Sequence, residues 1–140
     1  MATVHDEITP RLSRFVLSQP VFFVGTAPLA GDGHVNVSPK GMGGTFVVLD
    51  PHRVAYLDYT GSGAEAAAHL QENGRIVVVE VDRVSDSCGY SVPFMDFVGD
   101  RDLLDRAHDR RDPEYFDAYW HKKNATSIDG LPGVDISPVP

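Results

Sequence analysis

The stretch Val54–Leu70, VAYLDYTGSGAEAAAHL, decides the fold, because a strand-like run enters Gly61-Ser62-Gly63 and leaves directly as a helix. Unpaired N–H groups at a helix start carry partial positive charge, and glycines let the backbone approach an anion closely. The hydroxyls of Thr60 and Ser62 add donors. The junction therefore reads as a phosphate site, and two kinds of sheet could carry it.

The first is a dinucleotide fold. Gly61-x-Gly63-x-x-Ala66 follows a strand and opens a helix, and the acidic Glu80 and Asp82 close the next apolar run. That fold needs further parallel strands with crossover helices, and none of comparable quality follows Val84. No Gly-Lys-Ser/Thr follows the loop either, so it is not a nucleotide-triphosphate P-loop. The local match is good and the surrounding sequence argues against it.

Upstream, the spacing is that of hairpins. Val21–Ala27 (VFFVGTA) is rich in β-branched and aromatic residues, and Leu29-Ala30-Gly31-Asp32-Gly33 turns it into a second strand, His34–Ser38. There His34, Asn36 and Ser38 alternate with Val35 and Val37, which puts polar groups on one face and valines on the other. Pro39-Lys40-Gly41-Met42-Gly43-Gly44 interrupts the pattern before Thr45–Leu49 and Arg53–Tyr59 resume it, joined by Asp50-Pro51-His52. The simplest reading is a four-strand antiparallel meander.

Around these strands, Ile8, Leu12, Phe15 and Val16 recur at helical spacing, with Thr9 as cap and Pro10 in the first turn of a helix over about Thr9–Ser18. Ala64, Ala67, Ala68 and Leu70 support a helix ending at Asn73-Gly74, and Arg75–Val81 (RIVVVEV) forms an apolar strand. Ser85–Pro93 is loop-like, Arg101–Arg111 reads as a charged helix, Glu114–Lys123 as an aromatic-bearing one, and the tail from Asn124 as loop.

At 140 residues, with 42% hydrophobic and 23% charged residues, the chain suits one globular domain, with barrel strands and the phosphate-loop helix in 1–84 and loop and helices in 85–140. Cys88 is single, and MATVHDEITPRL lacks the apolar core of a signal peptide, so the expected compartment is the cytoplasm. No run approaches membrane-spanning length, and a net charge of -8 argues against nucleic acid or an anionic membrane as partner. An anion must then be held by a few basic groups and backbone donors. Lys40 stands alone among lysines until Lys122, and Asn36-Val37-Ser38-Pro39-Lys40-Gly41 brings an amide, a hydroxyl and a cation to one strand end. A single lysine in a turn is ordinarily just solvated.

A set of motifs bears on that choice. Val35–Gly41 (VNVSPKG), Tyr59–Ala66 (YTGSGAEA) and Glu72–Ile76 (ENGRI) resemble the pyridoxamine 5′-phosphate oxidase-like family of flavoproteins. So do Ser87–Pro93, Arg101-Asp102-Leu103-Leu104 and Asn124–Gly133 (NATSIDGLPG). The resemblance touches nearly the whole chain. It implies a β-rich α+β fold, an antiparallel split β-barrel flanked by short helices, that forms a homodimer and binds FMN in grooves between subunits. Carried over by position, Lys40 and Ser62 would hold the FMN phosphate with Thr60 and the amides of Tyr59, Gly61 and Gly63. The backbone of Asn36, Val37 and Ser38 would line the flavin edge. It implies an oxidoreductase acting on a small molecule, with no side chain assigned as catalytic.

The chain departs from the family pattern in two places. Ala66 stands where a threonine is expected. Members also place a strand, a loop-helix excursion and a further strand between ENGRI and SCGY, whereas Arg75-Ile76 here runs through VVVEVDRV directly to Ser87. Two strands are thereby fused into one, leaving the barrel incomplete within one chain unless a partner pairs with its edges. The fusion also creates the Gly61-to-Asp82 spacing behind the dinucleotide match.

The remaining side chains carry weaker signals. Six histidines (His5, His34, His52, His69, His108, His121) form no HxH or HExxH pair, so no metal site is expected. Cys88 reads as a small buried residue, and Tyr115, Phe116, Tyr119 and Trp120 as a helical face packed on the core, with a subunit interface as the other option. The acidic residues from Asp96 through Asp117 read as a solvated face. Besides the flavin enzyme, two readings stay open: a non-catalytic dimer that binds flavin or another phosphate ligand, and a small nicotinamide binder. The last requires parallel strands.

Overall fold

The computed structural model describes residues 3–59, 61, 63–70 and 76–134. Seven strands and four helices follow in the order β1 (Thr3–His5), α1 (Pro10–Leu17), β2 (Val21–Thr26), β3 (Asn36–Gly41), β4 (Phe46–Asp50), β5 (Arg53–Leu57), α2 (Glu65–Leu70), β6 (Ile76–Glu80), β7 (Val84–Asp86), α3 (Leu103–Asp109) and α4 (Pro113–Lys123). They form three sheets, β1-β7, β2-β3 and β4-β5-β6, and among the described residues no sheet closes into a barrel. The chain is thus strand-rich with short helices, an incomplete split barrel.

Two compact units emerge: one takes Met1–Val21, Gly41–Leu57 and Ile76–Asp100, the other Phe22–Lys40, Asp58–Arg75 and Arg101–Pro140. In the first, α1 starts as its residues dictate. The Thr9 hydroxyl accepts a hydrogen bond from Leu12 N at 3.3 Å, and Pro10, whose missing N–H costs nothing in a first turn, opens the helix. Ile8 and Leu12 are buried, and α1 packs on β4. The β4-β5-β6 sheet is antiparallel throughout, with Tyr56 opposite both Phe46 and Val77. Tyr56 and Val77 are themselves buried, so this cross-strand row is the heart of the unit. The short β1 pairs antiparallel with β7, and Asp86 ties them further, accepting from Thr3 N at 3.2 Å and from the Arg11 guanidinium at 2.8 Å.

The second unit holds β2 and β3, apart from their end residues Val21 and Gly41, together with α2, α3 and α4. Asp112 caps α4 by accepting from Tyr115 N at 2.9 Å, and Asn124 ends it by donating its N–H to Trp120 O at 2.7 Å. Beyond Asn124 a tight hairpin forms, with Thr126 bridged to Pro132 and Gly130 in the left-handed region (φ 74°) at its turn.

Several expectations need correction. The four-strand meander is not continuous: β3 and β4 do not pair, and β5 takes β6 as its second neighbour. Met42 (φ 72°) and Gly44 (φ 83°) put a sharp bend between β3 and β4, and the Thr45 hydroxyl secures it on the carbonyls of Gly41 and Met42, each at 2.8 Å. β3 begins at Asn36 rather than His34 and runs past Ser38 to Gly41, since Pro39 needs no ladder N–H in a two-stranded sheet. The loop reading of Ser85–Pro93 misses β7, too short to show a period. Cys88 is exposed rather than buried. Nor does α4 pack a face into the core, since none of its residues is buried. Its rings stack locally instead: Phe116 lies 4.3 Å from the His108 ring, and the Arg111 guanidinium sits 4.0 Å above Tyr115. The expected helix stop at Asn73-Gly74 lies outside the described residues.

The strands flanking the glycine loop decide between the two sheets. β5 and β6 lie on either side of α2 in sequence and pair antiparallel, from Arg53 opposite Glu80 to Leu57 opposite Ile76. A dinucleotide fold requires these two strands to run parallel. The nicotinamide reading ends there.

Candidate phosphate site

Of the nine residues expected to bind FMN, the described ones, Asn36, Val37, Ser38, Lys40, Tyr59, Gly61 and Gly63, fall in the second unit. Thr60 and Ser62 lie outside the described residues. Along β3 the alternation is as the sequence requires, with Asn36, Ser38 and Lys40 half-buried and Val37 exposed.

Lys40 is not the solvated turn lysine of the default reading. Its Nζ donates to Asp58 Oδ1 at 2.6 Å, with the two side chains only 13% and 18% exposed. Asp58 immediately precedes Tyr59, so the pairing brings the end of β3 to the mouth of the glycine loop. The ammonium is the right partner for a phosphate oxygen, and a ligand there would share it with the Asp58 carboxylate. A half-buried pair of this kind is costly to break by removing one member, since the other is left uncompensated.

The loop is held from beneath. Asn124, fully buried, donates from Nδ2 to Gly61 O at 3.1 Å and to Gly63 O at 3.0 Å. The Glu65 carboxylate folds back over Gly63, in the space a side chain at that position would need. A side chain there would only have to displace this flexible carboxylate.

Asn36 is already committed. Its Nδ2 donates to Thr26 Oγ1 at 3.2 Å, and the same hydroxyl lies 2.9 Å from Nδ1 of His69 on α2. This links the β2-β3 ribbon to the helix after the loop and leaves the backbone of β3, rather than the Asn36 amide, to meet a ligand. A second anchor ties the ribbon's turn to the C-terminal hairpin: Asp129 accepts from His34 N at 2.8 Å and pairs with His34 Nδ1 at 2.6 Å. The His34 side chain, and next its backbone N–H, hold the Asp129 carboxyl below its usual pKa.

The sequence nominates Lys40 and the glycines but gives no sign of their contacts with Asp58 and Asn124, nor of Thr26 and the His34–Asp129 pair. Asp58 sits inside a strand-like run and Asn124 at the start of a tail read as loop; neither has a local pattern that announces a partner tens of residues away. Among the described residues, no helix is long and apolar enough to cross a membrane.

Comparison with known proteins gives one clear result. No family model matches the chain, and no solved structure does. A curated protein of Aspergillus flavus, named pyridoxamine 5′-phosphate oxidase family protein ustO, is 29% identical over 96% of this chain and 78% of its own length. The alignment runs to 196 positions, more than this chain's 140 residues, so the relative carries residues with no counterpart here. Motifs and relative point to one family: along nearly all its length, the chain is similar to the pyridoxamine 5′-phosphate oxidase family.

Proposed function

We propose that the chain is an FMN-binding oxidoreductase of the pyridoxamine 5′-phosphate oxidase-like group, working as a cytoplasmic homodimer on a small-molecule substrate. The observation that carries this reading is the meeting of Lys40 with Asp58 at the entry of a glycine loop whose Gly61 and Gly63 carbonyls are drawn inward by Asn124. A cation and a loop with its carbonyls turned away suit a phosphate dianion. FMN, when bound, supplies hydride transfer at its flavin ring, and the protein's part is to bind and orient it. Lys40 neutralises the phosphate, the loop amides complete its shell, and the β3 backbone from Asn36 to Ser38 borders the ring.

Dimerisation is supported by apolar side chains left uncovered on and beside the β2-β3 ribbon, where Phe23, Val37 and, just before β3, Val35 are each more than half exposed. The cytoplasm is supported by the single Cys88. The unclosed sheets favour a second reading, a non-catalytic dimer that binds flavin or another phosphate ligand. Purified protein separates the two. An enzyme comes with bound FMN that a reductant bleaches and an acceptor restores over many cycles. A binder holds FMN or another phosphate ligand without turnover with any nicotinamide donor, and protein that FMN neither tints nor stabilises contradicts the enzyme reading.

A further inference from the structure

We propose that Asn124 is a positioning residue for phosphate recognition, setting the direction of the glycine loop's peptide units; this rests on the reading of that loop as the FMN phosphate site. In a trans peptide the N–H points away from the C=O of the same unit, and the described chain has no cis peptide. A carbonyl fixed toward the Asn124 amide therefore fixes its N–H on the opposite side. Asn124 does this twice with one amide group, holding Gly61 O at 3.1 Å and Gly63 O at 3.0 Å, so that the N–H of the buried Ala64, which shares a peptide unit with the Gly63 carbonyl, is turned to the side opposite Asn124. Only a side chain with two N–H donors on one nitrogen can do so from this position.

The residue is itself immobilised. Asn124 is fully buried, its backbone N–H donates to Trp120 O at 2.7 Å, and its carbonyl accepts from Val134 N at 3.0 Å. Alongside, Gly133 N donates to Ala125 O at 2.9 Å, and Gly133 packs so closely that a side chain there would strike the Asn124 carbonyl and Ala64. The C-terminal hairpin thus acts on the phosphate site without touching the ligand. The Oδ1 of Asn124 has no hydrogen-bond partner among the described residues, so the amide is buried for the sake of its donors.

The test compares FMN with riboflavin, which lacks the phosphate, on wild type and on Asn124→Asp, by flavin-fluorescence titration. Asp keeps the size but loses both donors and places negative charge against the two carbonyls. The expected result is a loss of FMN affinity of about tenfold or more with riboflavin affinity unchanged. Equal losses for both flavins, or none, overturn the positioning role, because a purely structural lesion does not single out the phosphate. Should Asn124→Asp not fold, Asn124→Ser takes its place with the same criteria. If wild type binds no FMN, the function reading fails, and amide hydrogen exchange at Ala64 still decides the placement: a changed exchange rate in the variant supports it, and an unchanged rate overturns it.

Discussion

The ammonium of Lys40 lies 2.6 Å from the carboxylate of Asp58, and Asp58 is the last residue before the chain turns into Tyr59 and the glycine loop. One ion pair therefore joins two sequence motifs that are separate in the chain. If it marks the phosphate subsite, Lys40→Ala weakens FMN binding by roughly 1–3 kcal/mol, the worth of a charge-assisted hydrogen bond. Riboflavin affinity stays the same. Parallel titrations of the two flavins check this, and an equal effect on both would remove Lys40 from the phosphate.

Asp58 competes for the same ammonium. Asp58→Asn keeps the shape and removes the negative charge beside the incoming dianion, so FMN affinity should rise by about threefold to tenfold at low salt and the gain should shrink as salt is added. Without ligand, the same variant should melt earlier, because Lys40 has lost its ionised partner. A fall in FMN affinity would mean that Asp58 serves chiefly to hold Lys40 in place.

The His34–Asp129 pair predicts an acid limit for the second anchor. Asp129 has a lowered folded pKa, so the stability it contributes is fully present above the ordinary carboxylate value of 3.8 and is lost as pH falls through the lowered folded value. Wild type should therefore exceed Asp129→Ala in melting temperature at about pH 5 and above. The margin should then narrow at more acid pH. Differential scanning at a series of pH values reads this, and a margin that survives unchanged into strong acid would refute the carboxylate's role.

Gly133 packs against the hairpin's own anchor. A Cβ there would stand 2.9 Å from the Ala64 Cβ and collide with the Asn124 carbonyl, both parts of backbone or of a short side chain that cannot swing aside. Gly133→Ala should cost about 1–3 kcal/mol in chemical denaturation, as overpacking of a filled site does. A neutral result would show that the C-terminal hairpin is free to shift.

Much of this was readable from residues alone, and the limits have physical causes. Thr9 and Pro10 announce α1 because capping is local, and β4, β5 and β6 announce themselves by apolar runs. The glycine loop and Lys40 stand out in the sequence as a candidate anion site because glycines and an isolated cation carry that chemistry in themselves. Asn124 was not, because an amide's role depends on which carbonyls reach it, here from residues more than sixty positions earlier. The continuous meander failed at Met42, a residue with no ordinary preference for the left-handed backbone it adopts. The aromatic face of α4 failed because ring spacing on a helix is the same whether the rings meet a core or one another.

The central claim is that Lys40 and the Gly61–Gly63 loop form an FMN phosphate site. Titration of flavin-free protein with FMN, read by fluorescence quenching and by melting temperature, tests it most directly. The account predicts saturable quenching, a rise in melting temperature with FMN concentration, and tighter binding of FMN than of riboflavin. Absence of quenching and of any shift up to millimolar FMN, or equal affinity for the two flavins, would contradict it.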